Sequence, residues 1–133
     1  LREDGDGTSS WQTVAAGISS KQGYATRDAS TASGSQAITG IGFQPVAIVI
    51  FGFESQSGYA ATWTLIDSDG DGTGFECYPT TQFEGPRKLG FWAAGSDYNY
   101  VSGVTCDADG FTLTWVKGGT PTGTLHLSFL CLA

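Results

Sequence analysis

The residues with the clearest chemical pattern are the carboxylates of one short segment. Asp67, Asp69 and Asp71 occupy alternate positions, Gly72 follows them, and Glu76 lies four residues further on. Alternating carboxylates around a tight glycine turn supply the hard oxygen ligands of a calcium loop. Such a loop would place its bidentate glutamate two residues after Glu76, where this chain has none. The segment therefore supports two interpretations: a calcium site formed by Asp67, Asp69, Asp71 and Glu76, or a solvated acidic hairpin loop.

A second pattern is an aromatic cluster near the middle of the chain. Tyr98 and Tyr100 flank Asn99, and Asp97 precedes them. We expect this cluster on a loop, where rings with an apolar face and a polar tip can stack on sugar rings. Asp97, Tyr98 and Tyr100 are therefore the candidate residues of a carbohydrate site. Ordinary packing within a strand is the alternative, because aromatic residues favour strands.

Nucleophilic catalysis has little support in the sequence. His126 is the single histidine, so any Ser/His/Asp or Cys/His arrangement must use it. It lies in a predicted strand with no neighbouring carboxylate, which favours a surface or interface histidine. Nothing singles out a pair of carboxylates for glycoside hydrolysis, and no phosphate loop precedes a helix. We predict that the protein is not an enzyme and requires no cofactor, with calcium as the one optional ion.

Composition excludes several classes of protein. Charged residues make up 14% of the 133 residues and hydrophobic residues 40%, whereas soluble domains average about 25% charged residues. This balance is atypical of disordered chains and of helical bundles. Six basic residues against thirteen acidic ones leave a net charge of −7, while phosphate binding needs clustered Lys and Arg. We therefore expect no nucleic-acid partner and, because apolar runs fall far short of about 20 residues, no membrane partner.

Short strand-like segments recur at roughly ten-residue spacing, each bounded by turn residues. This pattern predicts an all-β fold: an antiparallel β-sandwich, jelly-roll-like, of eight to ten short strands. Residues 1–10 are predicted to be a polar N-terminal arm or linker, and residues 11–133 a single domain. Residues 17–36 are expected to form a long connection with at most one weak strand. The other predicted strands are Trp11–Ala16, Val46–Phe53, Tyr59–Ile66, Gly74–Tyr78, Lys88–Ala94, Tyr98–Cys106, Phe111–Val116 and Thr124–Leu132.

Two of these segments carry more specific expectations. Val46–Phe53 is apolar at every position, which predicts a central strand or one whose outer face is covered by another subunit. Thr124–Leu132 alternates apolar and polar residues, and we expect it to complete a three-stranded antiparallel meander with the two strands before it. The apolar surface of both segments fits either the domain core or a subunit interface.

The three cysteines, Cys77, Cys106 and Cys131, show no metal-binding spacing. In a domain large enough to have its own core, an odd number of cysteines favours small buried hydrophobic residues over a disulfide framework. A single Cys77–Cys106 bridge is the alternative.

Two blocks of the sequence resemble parts of virion proteins of tailed bacteriophages. The block Gly34–Gly52, GSQAITGIGFQPVAIVIFG, has a polar stretch leading into T-G-x-G-F-x-P and then a hydrophobic strand. The block Asp107–Ala133, DADGFTLTWVKGGTPTGTLHLSFLCLA, has D-x-D-G-F-T, a Gly/Thr-rich turn and a final aromatic-aliphatic strand. Together the blocks cover about a third of the chain, and they contain no catalytic motif.

The resemblance implies a small β-rich structural component of the virion, assembled in the cytoplasm of the bacterial host. A capsid decoration protein or a head-fibre or spike protein, binding the particle surface and itself, is the function it favours. Its implied partners are the major capsid or tail protein and further copies of the chain, with a homotrimer favoured. One alternative is a lectin-like receptor- or carbohydrate-binding domain of a phage tail or fibre. Another is a secreted module stabilised by calcium.

Overall fold

The chain folds into two main antiparallel β-sheets in a computed structural model that describes residues 2–3, 9–10, 17–55, 61–77, 89–92 and 96–133. A short ladder pairs β1 (Arg2–Glu3) with β2 (Ser9–Ser10). None of the described segments is a helix that could span a bilayer. The strands of the two main sheets are β3 (Ser20–Asp28), β4 (Gly34–Thr39), β5 (Ala47–Glu54), β6 (Ala61–Asp67), β7 (Gly72–Cys77), β8 (Leu89–Trp92), β9 (Tyr98–Asp107), β10 (Gly110–Gly118) and β11 (Thr124–Leu132).

The larger sheet has the strand order β3-β11-β5-β6-β7, and the smaller has the order β4-β10-β9-β8. All neighbouring strands are antiparallel. Each sheet contains one run of consecutive strands, β5-β6-β7 in the larger and β8-β9-β10 in the smaller. The predicted antiparallel β-sandwich is confirmed, whereas this strand order does not confirm its jelly-roll detail. The predicted N-terminal arm and the strand Trp11–Ala16 fall largely outside the described residues.

The core lies between the inner faces of the two sheets. The predicted alternation is confirmed in β10 and β11, where every second side chain is buried. Phe111 of β10 meets Phe129 of β11 edge to face, with ring centroids 5.2 Å apart. Burying each large apolar side chain stabilises the fold by about 1.5–3 kcal/mol. The largest of these core side chains are Ile48, Ile50, Ile66, Leu89, Phe91, Val101, Phe111, Leu113, Trp115, Leu125 and Leu127.

The predicted meander of the last three strands is wrong. β11 leaves β10 and crosses to the larger sheet, where it pairs with β3 along nine residues and with β5 along eight. The loop 119–123 is long enough to carry the chain between the sheets. The alternation along β11 is compatible with pairing in either sheet. It specifies which face of the strand is apolar and does not specify which strands pair with it.

The expectation that residues 17–36 form a connection is also wrong, since they contain all of β3 and the start of β4. Both are edge strands, whose exposed positions suit the small and polar residues of this segment. Gly23 of β3 has a packing role, because a Cβ at this position would lie 2.3 Å from the ring of Phe129. The small residues therefore fit an edge strand that lies close to a large core side chain.

The chain changes sheets at a corner between β4 and β5 that is held by Asp109. Gly40 and Gly42 adopt left-handed φ angles of 79° and 88°, which glycine reaches without steric cost. The Asp109 carboxylate accepts hydrogen bonds from the N–H of Gly42 (2.7 Å) and of Gly40 (3.0 Å), and its carbonyl oxygen accepts one from Ile41 N (3.1 Å). The bonds from Gly42 and Gly40 hold the pKa of Asp109 below its usual value. This carboxylate therefore fixes the point at which β5 begins.

One end of the sandwich interior is polar. Arg27 and Glu54 both pair in register with Leu125, on its two sides, and each is at most 9% exposed. Arg27 lies over the ring of Trp115 at 5.2 Å and donates from Nη2 to the carbonyl of Ala32 at 2.6 Å. Glu54 Oε1 accepts no hydrogen bond from the described residues. Burial raises the pKa of Glu54, so its ionised form is a cost to the folded state.

The described cysteines behave as small apolar residues. Cys131 is completely buried, and burial raises the pKa of its thiol to about 11. Cys106 is half-buried and, like Cys131, a free thiol. The alternative of a Cys77–Cys106 disulfide is therefore wrong. The side chain of Cys77 lies outside the described part of the chain.

Asp109→Asn is expected to lower the melting temperature at neutral pH, because it removes the charged acceptor of the corner. Since the pKa of Asp109 is lower in the folded state, its stabilisation is present above the unfolded-state pKa and is lost as the pH falls through the folded-state value. The difference in melting temperature between variant and wild type should therefore become smaller below about pH 4. Asp69→Asn, at the exposed end of another hairpin, is the matched control. A difference that is independent of pH would contradict this role.

Glu54→Gln is expected to raise the free energy of unfolding at pH 7 by about 1 kcal/mol, because it removes a buried charge. Since the pKa of Glu54 is raised in the folded state, its cost is full above the folded-state value and disappears below the unfolded-state value of about 4.3. Urea denaturation should show a higher free energy of unfolding for the variant at pH 7 and no difference from wild type below pH 4. Destabilisation of the variant at pH 7 would show that the ionised carboxylate of Glu54 makes a favourable interaction in the folded state.

Candidate functional site

The outer face of the larger sheet carries a large exposed apolar surface. Alternation directs Ile48 and Ile50 of β5 into the core, so Phe51 and Phe53 point away from it. Neighbouring strands add further exposed side chains to the same face. We call this surface the aromatic face and define it by Tyr24 (59% exposed), Phe51 (57%), Phe53 (51%), Trp63 (41%), Leu65 (53%) and Leu130 (39%).

Strand register makes the aromatic face continuous. Phe51 pairs with Trp63 of β6 on one side and with Ser128 of β11 on the other. Two residues earlier in β5, on the same face, Val49 pairs with Leu65 of β6 and with Leu130 of β11. Directly opposite side chains in an antiparallel pair lie about 5 Å apart, close enough to pack. The exposed residues therefore form one patch and are not scattered over the surface.

His126 belongs to the same face. Its ring stacks on Phe53, with centroids 4.7 Å apart and planes at 11°. A hydrogen bond joins His126 Nδ1 to the hydroxyl of Tyr24. These two contacts hold the imidazole flat among the aromatic side chains. The single histidine of the chain is thus engaged in a surface aromatic cluster that joins β3, β11 and β5.

The other outer face of the sandwich is different in character. β10 presents Thr112 and Thr114 outward, in register with Thr105 of β9 and with Ala37 and Ser35 of β4. One end of this face carries short polar side chains, as expected of a sheet in contact with water. Among the described residues, no large hydrophobic side chain of the smaller sheet is as exposed as the six of the aromatic face.

The strand Val46–Phe53 was predicted to be covered on both faces, as a central strand or beneath another subunit. The structure places β5 in the middle of its sheet and buries its inner side chains. Its outer residues Phe51 and Phe53 remain more than half exposed. The central position is confirmed, and cover of the outer face by the chain's own described residues is not observed.

The acidic segment forms the turn between β6 and β7. Asp67 Oδ1 accepts hydrogen bonds from the N–H groups of Asp69 (3.1 Å) and Asp71 (2.9 Å). Among the described side chains, no group of three or more His, Cys, Asp or Glu is placed to hold a metal ion. The side chain of Glu76 lies outside the described part of the chain, so calcium binding by these four residues stays a prediction. The geometry observed is that of a hairpin loop braced by Asp67.

Asp97, Tyr98 and Tyr100 lie close together where β9 begins. Both tyrosines belong to β9 and stack on its outer side, with ring centroids 5.9 Å apart, while Asn99 between them is buried. Asp97 Oδ1 accepts a hydrogen bond from Thr120 N at 2.8 Å. The predicted strand Tyr98–Cys106 is therefore confirmed, and the loop position expected for its two tyrosines is wrong. Asp97 braces the loop after β10. Carbohydrate binding by the three residues stays a prediction.

The local sequence pattern does not identify Tyr24, Leu65 and Leu130 as members of one surface. Two signals were available: the absence of alternation in β5, which indicates an apolar outer side on that strand, and Leu130, an apolar residue at an outward position of β11. Neither signal identifies the neighbours that extend the patch, because those neighbours depend on strand order.

No protein-family model, curated protein or solved structure matches this chain. The resemblance to tailed-bacteriophage virion proteins accordingly stays a prediction, and the geometry of the chain carries the functional argument.

Asp67→Ala is expected to destabilise the fold by about 1 kcal/mol through loss of the two turn hydrogen bonds. Millimolar calcium separates the two interpretations of the segment, because a solvated hairpin loop predicts an unchanged melting temperature in wild type and variant. Thermal unfolding with and without a chelator measures both effects. A calcium-dependent rise in the wild type that Asp69→Ala abolishes would instead establish the calcium site.

Proposed function

We propose that the protein is a non-catalytic structural component of a tailed-bacteriophage virion, a capsid decoration or head-fibre or spike protein that acts by protein association. The observation that carries this proposal is the aromatic face, a continuous apolar surface on one side of the sandwich. A surface of this kind favours burial against another protein and offers few polar groups for binding a small substrate.

The size of the aromatic face supports an association role. An aromatic side chain carries roughly 150–250 Å² of surface, so six large side chains that are 39–59% exposed leave on the order of 600 Å² in water. The largest apolar patch of a typical monomer covers about 300–600 Å² and often marks a functional surface. Transfer of such an area out of water gives a strong drive for association.

The arrangement of the two blocks that resemble virion proteins also supports the proposal. The first block contains β4 and most of β5, and the second contains β10 and β11. β4 pairs with β10 in the smaller sheet, and β5 pairs with β11 in the larger. Asp109 of the second block holds the Gly40–Gly42 turn of the first. The two blocks are thus one structural unit, as a shared fold element would require.

A particle surface suits a protein of this design. Many identical copies on a lattice raise each other's effective concentration, so a modest affinity at each contact is sufficient. The state of His126, stacked on Phe53 and bonded to Tyr24, agrees with a structural role for the histidine.

Particles of a tailed phage whose genome encodes this chain are expected to contain the chain at a fixed stoichiometry. Quantitative mass spectrometry of gradient-purified particles measures the copy number: many copies indicate decoration of the capsid lattice, and a few indicate a fibre or spike. Leu65→Lys, which places a charge in the aromatic face, should reduce the incorporated amount at least roughly tenfold. Thr105→Lys, the same change on the polar face of the smaller sheet, should leave it unchanged.

Absence of the chain from every purified particle would contradict the virion assignment. Glycan binding that is lost in Tyr98→Ala or Tyr100→Ala, with the chain present in a few copies per particle, would favour the lectin-like alternative.

A further inference from the structure

We infer that the aromatic face is covered by a second copy of this chain, with the two larger sheets packed face to face about a two-fold axis. The inference names the partner of the surface described above and rests on its association role. It does not depend on a virion as the place of assembly. It differs from the homotrimer that the resemblance implies.

The exposed area is sufficient for such a pairing. With on the order of 600 Å² on each copy, two faces in contact remove about 1,200 Å² from water, which lies at the lower end of stable protein interfaces. Half-buried neighbours such as Val49 and His126 enlarge the contact. Stacked sheets lie about 10 Å apart with interdigitating side chains. The packing between copies would thus repeat the packing between the two sheets of one copy.

The charge distribution favours an identical partner. The chain has a net charge of −7, so copies repel one another wherever their charged surfaces meet. The six residues of the aromatic face carry no formal charge. Asp28 and Asp67, exposed on the same side of the sheet, lie at the ends of β3 and β6, at opposite corners of this surface. Apolar surface is complementary to itself, as a two-fold contact requires, whereas a charged patch is not.

The two faces of the sandwich explain why association stops at two copies. Pairing through the larger sheets leaves the smaller sheets outward, where β4, β9 and β10 present short polar side chains around Thr105 and Thr112. A two-fold contact occupies the aromatic face of both copies, so none of that face is left for a third copy. Closed dimers are therefore expected, and open stacks are not.

The test measures the mass of the purified 133-residue chain in solution. Size-exclusion chromatography with light scattering, over a micromolar concentration series, should give about 28 kDa, twice the 13.9 kDa of one chain. Leu65→Lys should raise the dissociation constant at least roughly a hundredfold, because two lysines then enter one apolar interface. Thr105→Lys adds the same charge to the opposite face and should leave the dimer intact.

Thermal unfolding of both variants at a concentration where all proteins are monomeric separates association from folding. Equal melting temperatures with selective loss of the dimer in Leu65→Lys would establish the pairing. A strict monomer at every concentration, a trimer, or a dimer that survives Leu65→Lys and Phe51→Lys would overturn it. Destabilisation of monomeric Leu65→Lys without any dimer in the wild type would show that a segment of the chain itself covers the face.

The outcomes for this inference and for the proposed function are distinguishable. A dimer that is absent from phage particles supports the pairing and contradicts the virion role. A monomer that is incorporated into particles overturns the pairing and leaves the virion role in place.

Discussion

Three backbone amides at the corner between β4 and β5 bind to one residue, Asp109. This interaction ties the turn that leaves the smaller sheet to the hairpin between β9 and β10, more than 60 residues later in the chain. The following strand must therefore start at a fixed point and run through the middle of the larger sheet. The position of β5, and with it the location of the most apolar stretch of the protein, depends on this corner.

Because β5 is apolar on both sides, its central position has an unavoidable consequence. The inner side, with Ile48 and Ile50, completes the core between the sheets. The outer side, with Phe51 and Phe53, faces away from the core and joins exposed residues of its neighbours β6 and β11 and of β3 beyond them. A monomer with this strand at its centre exposes a large apolar surface. Selection for solubility alone would favour polar residues there, as on the smaller sheet, so the surface points to an association role.

Several aspartates brace turns, among them Asp67 and Asp97, which the sequence also marks as candidate site residues. Asp28 accepts a hydrogen bond from Ser30 N, Asp67 from two amides of its own hairpin, and Asp97 from Thr120 N. Asp109 does the same at the sheet-crossing corner. Backbone N–H groups that point out of a turn need acceptors, and a carboxylate is a strong one. In a chain with only 14% charged residues, these four aspartates serve the loops between strands.

The amino-acid sequence by itself determined the all-β class, most strand positions and the buried face of β10 and β11. These properties follow from alternation and turn residues, which act over a few neighbours in the chain. Only the tertiary structure decided that β11 lies between β3 and β5, that residues 20–28 form an edge strand, and that Tyr24, Leu65 and Leu130 meet Phe51 on one surface. Strand pairing joins residues that are distant in the chain, and one local pattern is compatible with several partners. Which apolar residues meet in space is therefore settled by the sheet and not by their spacing.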